Sequence, residues 1–169
     1  MNHDASPNSQ ERQALVSSLA DQRNHVLGIL EGLSEEDLRR PILPSGWTCA
    51  GLVQHLAFDV ERFWFRAIVA GEPILDDEPD NAWQVPADST AATVIDSYRR
   101  EIERADAVIA ATSLDSPPAW WPEDLFGNWR LDDLREILLH VIAETATHAG
   151  HLDAARELID GRQWIVLTE

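Results

Sequence analysis

The chain has 169 residues, an ordinary apolar fraction and a formal net charge of −17, which suit one domain with its own core and exclude nucleic acid and anionic membrane as expected partners. A lone cysteine, Cys49, excludes an internal disulfide. The polar N-terminus and the lack of a long apolar run leave neither a signal peptide nor a membrane span to expect, so the chain reads as cytoplasmic.

Residues 1–8 read as a loose tail and residues 9–169 as a single domain. The first helix is expected from about Ser9 to Leu33, where Leu15, Leu19, Val26, Leu30 and Leu33 recur near helical period. Ser34-Glu-Glu-Asp resembles the start of a further short turn, with acids where a helix N-terminus favours them. Pro41-Ile-Leu-Pro44-Ser-Gly46 breaks the chain, and Thr48 is placed to cap a second helix of roughly Ala50 to Ala70, ended by Gly71-Glu-Pro73. An acidic loop follows from Ile74 to about Ala87. The third helix, Ser89 to Ala111, carries Val94, Tyr98, Ile102, Ala105 and Ile109. A second long loop holds Trp120, Trp121 and Trp129 among prolines and a glycine. The fourth helix starts near Leu131 and runs to about Ile159, stopped by Asp160-Gly161, and the segment Gln163 to Leu167 reads equally as a short strand or as a strap on the bundle. With no repeats and no convincing strands, the simplest architecture is all-α: a four-helix bundle with long inter-helix loops.

The fourth helix carries the densest chemistry. His140, Glu144, His148 and His151 recur at spacings of four, four and three, which places them on one helical face. On a wheel of about 100° per residue, Val141, Ile137, Leu134, Leu152, Ala155 and Ile159 lie within roughly 40° of His148. Glu144 lies about 40° from His148, His151 about 60° and His140 about 80°. A single histidine on an apolar face is usually a hydrogen-bonded core residue. A carboxylate near the core axis, however, costs several kcal/mol unless compensated. A divalent cation compensates it, because Glu and His are both zinc ligands. The spacing leaves open whether the pair is His140/Glu144 or Glu144/His148, and whether His151 binds directly. A third ligand must come from another helix. His55 is favoured over His25 because Asp59, one turn on, is placed to take the other imidazole N–H.

Pro44-Ser-Gly-Trp47-Thr, Gly51-Leu-Val-Gln-His55-Leu, Glu61-Arg-Phe-Trp64-Phe and Gly71-Glu, with Glu144-Thr-Ala-Thr-His148-Ala-Gly-His151 and Glu157-Leu-Ile-Asp-Gly161, resemble the DinB-like superfamily, in particular an actinobacterial branch of it. The resemblance covers nearly the whole chain. It implies a four-helix bundle holding one divalent metal through one ligand from the second helix and two, four residues apart, from the last: here His55, Glu144 and His148. The ligand set is similar to that of mycothiol-dependent maleylpyruvate isomerases, which also have Glu at the position of Glu144, whereas many other members have His. His151 stands where many relatives have Gln, so it is assigned with His140 and Asp59 to the surroundings of the metal.

The metal implied is zinc, with nickel as an alternative, and the co-substrate implied is a small thiol, mycothiol above all. An open coordination position lowers a thiol's pKa and holds a thiolate for attack on an electrophile. The chemistry expected is thus that of a metal-dependent thiol S-transferase or related isomerase, with a non-catalytic metal-binding stress or binding protein as the alternative. The maleylpyruvate activity itself is not expected, since those enzymes usually carry an added C-terminal domain and this sequence ends soon after the fourth helix. Arg62 and Arg66, on the His55 side of a regular wheel, and Trp121, in the second long loop, are the candidates for a thiol or substrate pocket. Homodimerisation through an apolar helix face is a further expectation.

Overall fold

A computed structural model describes residues 7–73 and 81–164. The expected tail therefore lies outside it except for its last residues, as do residues 74–80 of the acidic loop and residues 165–167 of the final segment. Among the described residues the chain is all-helical, with no strand. No described helix is long and apolar enough to cross a membrane.

The helices are α1 (Pro7–Ile29), α2 (Glu35–Arg39), α3 (Cys49–His55), α4 (Ala91–Ala111), α5 (Glu123–Phe126) and α6 (Leu134–Asp160). Between α3 and α4, Leu56–Val69 continues α3 without a break as a wider π-wound segment. Side-chain caps set the starts. Thr48 Oγ1 accepts from Gly51 N at 3.0 Å, Ser34 Oγ from Asp37 N at 3.1 Å, Thr90 Oγ1 from Thr93 N at 3.1 Å and Asp133 Oδ1 from Glu136 N at 2.9 Å. Each such cap stabilises its helix by about 1 kcal/mol. Gly161, at φ 78°, closes α6 in the left-handed conformation that glycine adopts without penalty. The first helix ends four residues before the expected Leu33, and α5 arises where only loop was expected.

Four long rods, α1, α3 with its π-wound extension, α4 and α6, enclose the core. Leu19, Val26 and Ile29 of α1 meet Leu52, Leu56, Phe65 and Ile68 of the second rod, Tyr98 of α4, and Ile137, Val141 and Leu152 of α6. A buried charge pair ties α1 to the π-wound segment: the Arg23 guanidinium donates to both oxygens of Glu61, at 2.7 and 2.6 Å, and to Asp106 Oδ1 at 2.7 Å. Glu61 is wholly buried, and Arg23 supplies the charge and hydrogen bonds without which its carboxylate would be costly there.

The buried face of α6 departs from the wheel in one respect. It extends to Leu138, Thr145, Ala149 and Arg156, all on the side away from Glu144. His148 thus lies near the edge of the buried sector and not at its centre, because α6 leans on α1 and Arg156 reaches across to the carbonyls of Ile29 and Glu31. Glu144 accordingly keeps 38% of its side chain exposed, and the desolvation expected for it is largely avoided.

Candidate metal centre

The π-wound rod and α6 bring three donors together. His55 ends α3, Glu144 and His148 sit one turn apart on α6, and one ligand-type atom of each lies within 4.8 Å of the others. His148 Nε2 is 3.2 Å from Glu144 Oε1, and His55 Nε2 is 4.0 Å from the same oxygen. His55 Nδ1–H donates to Asp59 Oδ2 at 2.8 Å, the carboxylate–imidazole contact expected from the four-residue spacing. That bond fixes the tautomer and leaves the lone pair on Nε2. Nε2 is buried and has no hydrogen-bond partner. An unpartnered buried acceptor costs about 1–3 kcal/mol, and a divalent cation at this point satisfies it. Two imidazoles and a carboxylate are a donor set that suits zinc, so the residues fit the group.

The neighbouring stripe residues reverse the wheel's order, which set His151 nearer the apolar face than His140. His151 is exposed, with Nδ1 3.5 Å from His148 Nδ1, so it touches the back of a donor imidazole. His140 is half-buried, its ring centroid 4.5 Å from Trp64 and 5.5 Å from Trp129. Burial holds the pKa of both His140 and His148 below the usual imidazole value, and for His148 the nearby His55 adds to the effect. Both therefore favour the neutral form that a metal ligand requires. His25 is elsewhere, bonded through Nε2 to Asp153 at 2.8 Å and stacked on Trp164.

Two of the expected pocket residues stand apart from these donors. Arg66 pairs with Glu72 at 2.6 Å and Glu101 at 2.9 Å, and Arg62 Nε lies 3.7 Å from Glu101. Both face α4. The reason is the winding: hydrogen bonds closing over five residues turn each residue through a smaller angle than an α-helix does. Asp59 stays beside His55, but by Arg62 and Arg66 the accumulated lag has carried the side chains off the His55 side. Trp121, the third expected pocket residue, packs into an aromatic cluster, 5.4 Å from Phe126 and 5.8 Å from Trp129, and is not among the described residues lining the cavity beside the donors.

A cavity of about 370 Å³ opens beside the donors, lined by the polar side chains of Asp59, His140 and Glu144 and by Val60, Phe63, Trp64, Leu125 and Phe126. The α5 turn supplies its outer wall. The sequence reading missed that wall and also Trp83. The Trp83 ring stacks on His55, with centroids 4.3 Å apart and planes at 20°, and meets His148 edge-on at 5.7 Å. Gln54, the residue before His55, holds the Trp83 loop by donating to the carbonyls of Ala82 at 2.8 Å and Gln84 at 3.2 Å. Gly51 lets the loop approach: a Cβ there would lie 2.3 Å from the Trp83 carbonyl oxygen. The legible signal was an aromatic residue in an otherwise acidic loop, together with a glycine one turn before His55.

Comparison with known proteins gives a family. The family model described as mycothiol-S-transferase matches residues 14–161, a span that includes all three donors, Trp83 and the cavity wall. No curated protein matches.

Proposed function

This chain belongs to the mycothiol S-transferase family, and on that premise we propose that it joins the sulfur of mycothiol, or a related small thiol, to a small electrophile, using a divalent metal held by His55, Glu144 and His148. The observation that carries this reading is the buried, unpartnered Nε2 of His55 facing Glu144 and His148. When bound, the metal supplies the positive charge that lowers the pKa of a thiol and stabilises its thiolate. Zinc suits the nitrogen and oxygen donors best, with nickel second.

The chain's own residues supply the rest. Asp59 fixes the His55 tautomer, and Trp83 fixes the plane of the ring. His148 is kept neutral by burial. Glu144, half exposed, stands between the donors and the cavity and so borders both reactants. The only cysteine of the chain, Cys49, is 1% exposed and burial pushes its pKa up to about 11, which supports a reacting sulfur brought by a co-substrate. The test is product formation from mycothiol and a chromogenic electrophile. Metal-loaded wild type should form the conjugate, and His55→Ala and His148→Ala should lose both metal and conjugation. A metal-loaded protein inert toward every thiol offered would overturn the transferase reading and favour a binding protein.

A further inference from the structure

His148 has two ring nitrogens whose neighbours make opposite demands. Its Nε2 lies 3.2 Å from Glu144 Oε1, and its Nδ1 lies 3.5 Å from Nδ1 of His151. A neutral imidazole carries its one proton on one nitrogen or the other. With no cation between them, Nε2 and the Glu144 carboxylate cannot both present lone pairs across 3.2 Å, so the proton belongs on Nε2. Nδ1 is then bare and accepts from His151 Nδ1–H. A metal on Nε2 takes up the lone pair there, and the proton belongs on Nδ1 instead. The acceptor that faces Nδ1 among the described residues is His151 Nδ1, which must then be bare itself. Because nitrogen faces nitrogen, one must donate and the other accept, and the two rings change tautomer together.

The surroundings of His151 suit that part. Its ring is exposed and can exchange protons with water, while Trp47 flanks it with centroids 6.3 Å apart and planes at 51°. Asp59, the partner of His55, is a carboxylate that can only accept. An imidazole can accept or donate, so it can partner His148 in either state. We propose that His151 is the positioning residue of His148, and that metal loading swaps the tautomers of the pair. In the swap, His148 Nε2 releases its proton, His151 passes its Nδ1 proton to His148 Nδ1, and His151 Nε2 takes one from water. The pair keeps its proton count, and the metal receives a neutral imidazole. This rests on His55, Glu144 and His148 as the metal donors and not on the thiol chemistry.

Nitrogen-15 NMR of the histidine rings reads the tautomers directly, at about pH 8 where an ordinary imidazole is neutral. Without zinc, wild type should show the proton of His148 on Nε2 and that of His151 on Nδ1. With zinc, the proton of His148 should move to Nδ1 and that of His151 to Nε2. Competition with a chelator gives the second measurement. His151→Leu should weaken zinc binding roughly tenfold or more, and His151→Gln, whose amide oxygen can accept from His148 Nδ1–H, should restore most of it. A His151 tautomer unmoved by zinc, a leucine variant with wild-type affinity, or a glutamine variant as weak as the leucine one overturns the swap and leaves the metal centre standing. Wild type that takes up no zinc overturns both.

Discussion

Replacing Gly51 with alanine tests whether the Trp83 loop is held in place to orient His55. A Cβ built on Gly51 lies 2.3 Å from the Trp83 carbonyl oxygen and 3.2 Å from Thr48 Oγ1, whereas ordinary contact begins at 3.4 Å. The close neighbour is backbone, so the loop must retreat by about 1 Å. That movement stretches the two bonds from Gln54, which is 5% exposed and has no solvent to turn to. Leaving a buried amide unpaired costs about 1–3 kcal/mol, and alanine's helix propensity returns about 1 kcal/mol, so the net is a loss of up to about 2 kcal/mol. For a chain of this size that lowers Tm by up to several degrees, at about 2–4 °C per kcal/mol. Gly150 is the control. It lies in α6 between two of the stripe histidines, and a Cβ there meets nothing within 4 Å. Gly150→Ala should therefore stabilise the protein by about 0.5–1 kcal/mol. Thermal melts and zinc titrations on both variants make the comparison: Gly51→Ala should melt lower and bind zinc more weakly, Gly150→Ala should melt higher. If Gly51→Ala melts at or above wild type with unchanged zinc affinity, the loop is not positioned as argued.

Three other outcomes are expected. Arg23→Met strands the wholly buried Glu61, and chemical denaturation should show a loss of about 3–5 kcal/mol; a loss under 1 kcal/mol would mean that Glu61 finds another partner. Asp59→Asn keeps the shape but not the carboxylate that orients His55, and competition with a chelator should show zinc affinity reduced roughly 10- to 100-fold with the fold intact. The pH dependence follows from His148 and His140, whose folded pKa values lie below their ordinary value of 6.5. Below 6.5 the unfolded chain takes up protons that the folded chain resists, so metal-free protein loses stability as pH falls through that value toward the folded pKa values. Melts between about pH 7.5 and 5.5 should show this loss, and His140→Gln/His148→Gln should reduce it; an unchanged slope in the double variant would refute the assignment.

Much of this architecture is written in local patterns. The recurrence of Leu19, Val26 and Leu30, the caps at Thr48 and Ser34 and the stop at Gly161 all report short-range physics, and the structure places them as expected. The α6 stripe and the His55–Asp59 contact were legible for the same reason, since four-residue spacings keep residues on one side of a helix, but the choice of Glu144 with His148 over His140 with Glu144 came from the family resemblance and not from spacing. What escaped depends on geometry that a regular wheel does not contain. The π-winding after His55 swings Arg62 and Arg66 toward Glu101. The pull of α1 on α6 moves the buried sector past His148 toward Arg156. Trp83 reaches the site from a loop and Phe126 from the four-residue turn of α5, segments too short or irregular to show periodicity in the sequence.

Elemental analysis of purified, untagged protein, with wild type beside Glu144→Ala, bears most directly on the donor set. The arrangement of His55, Glu144 and His148 predicts close to one zinc or nickel per wild-type chain and its loss from a variant that still melts cooperatively. Wild type with no divalent metal, or a variant that retains it in full, would contradict a metal centre at these residues.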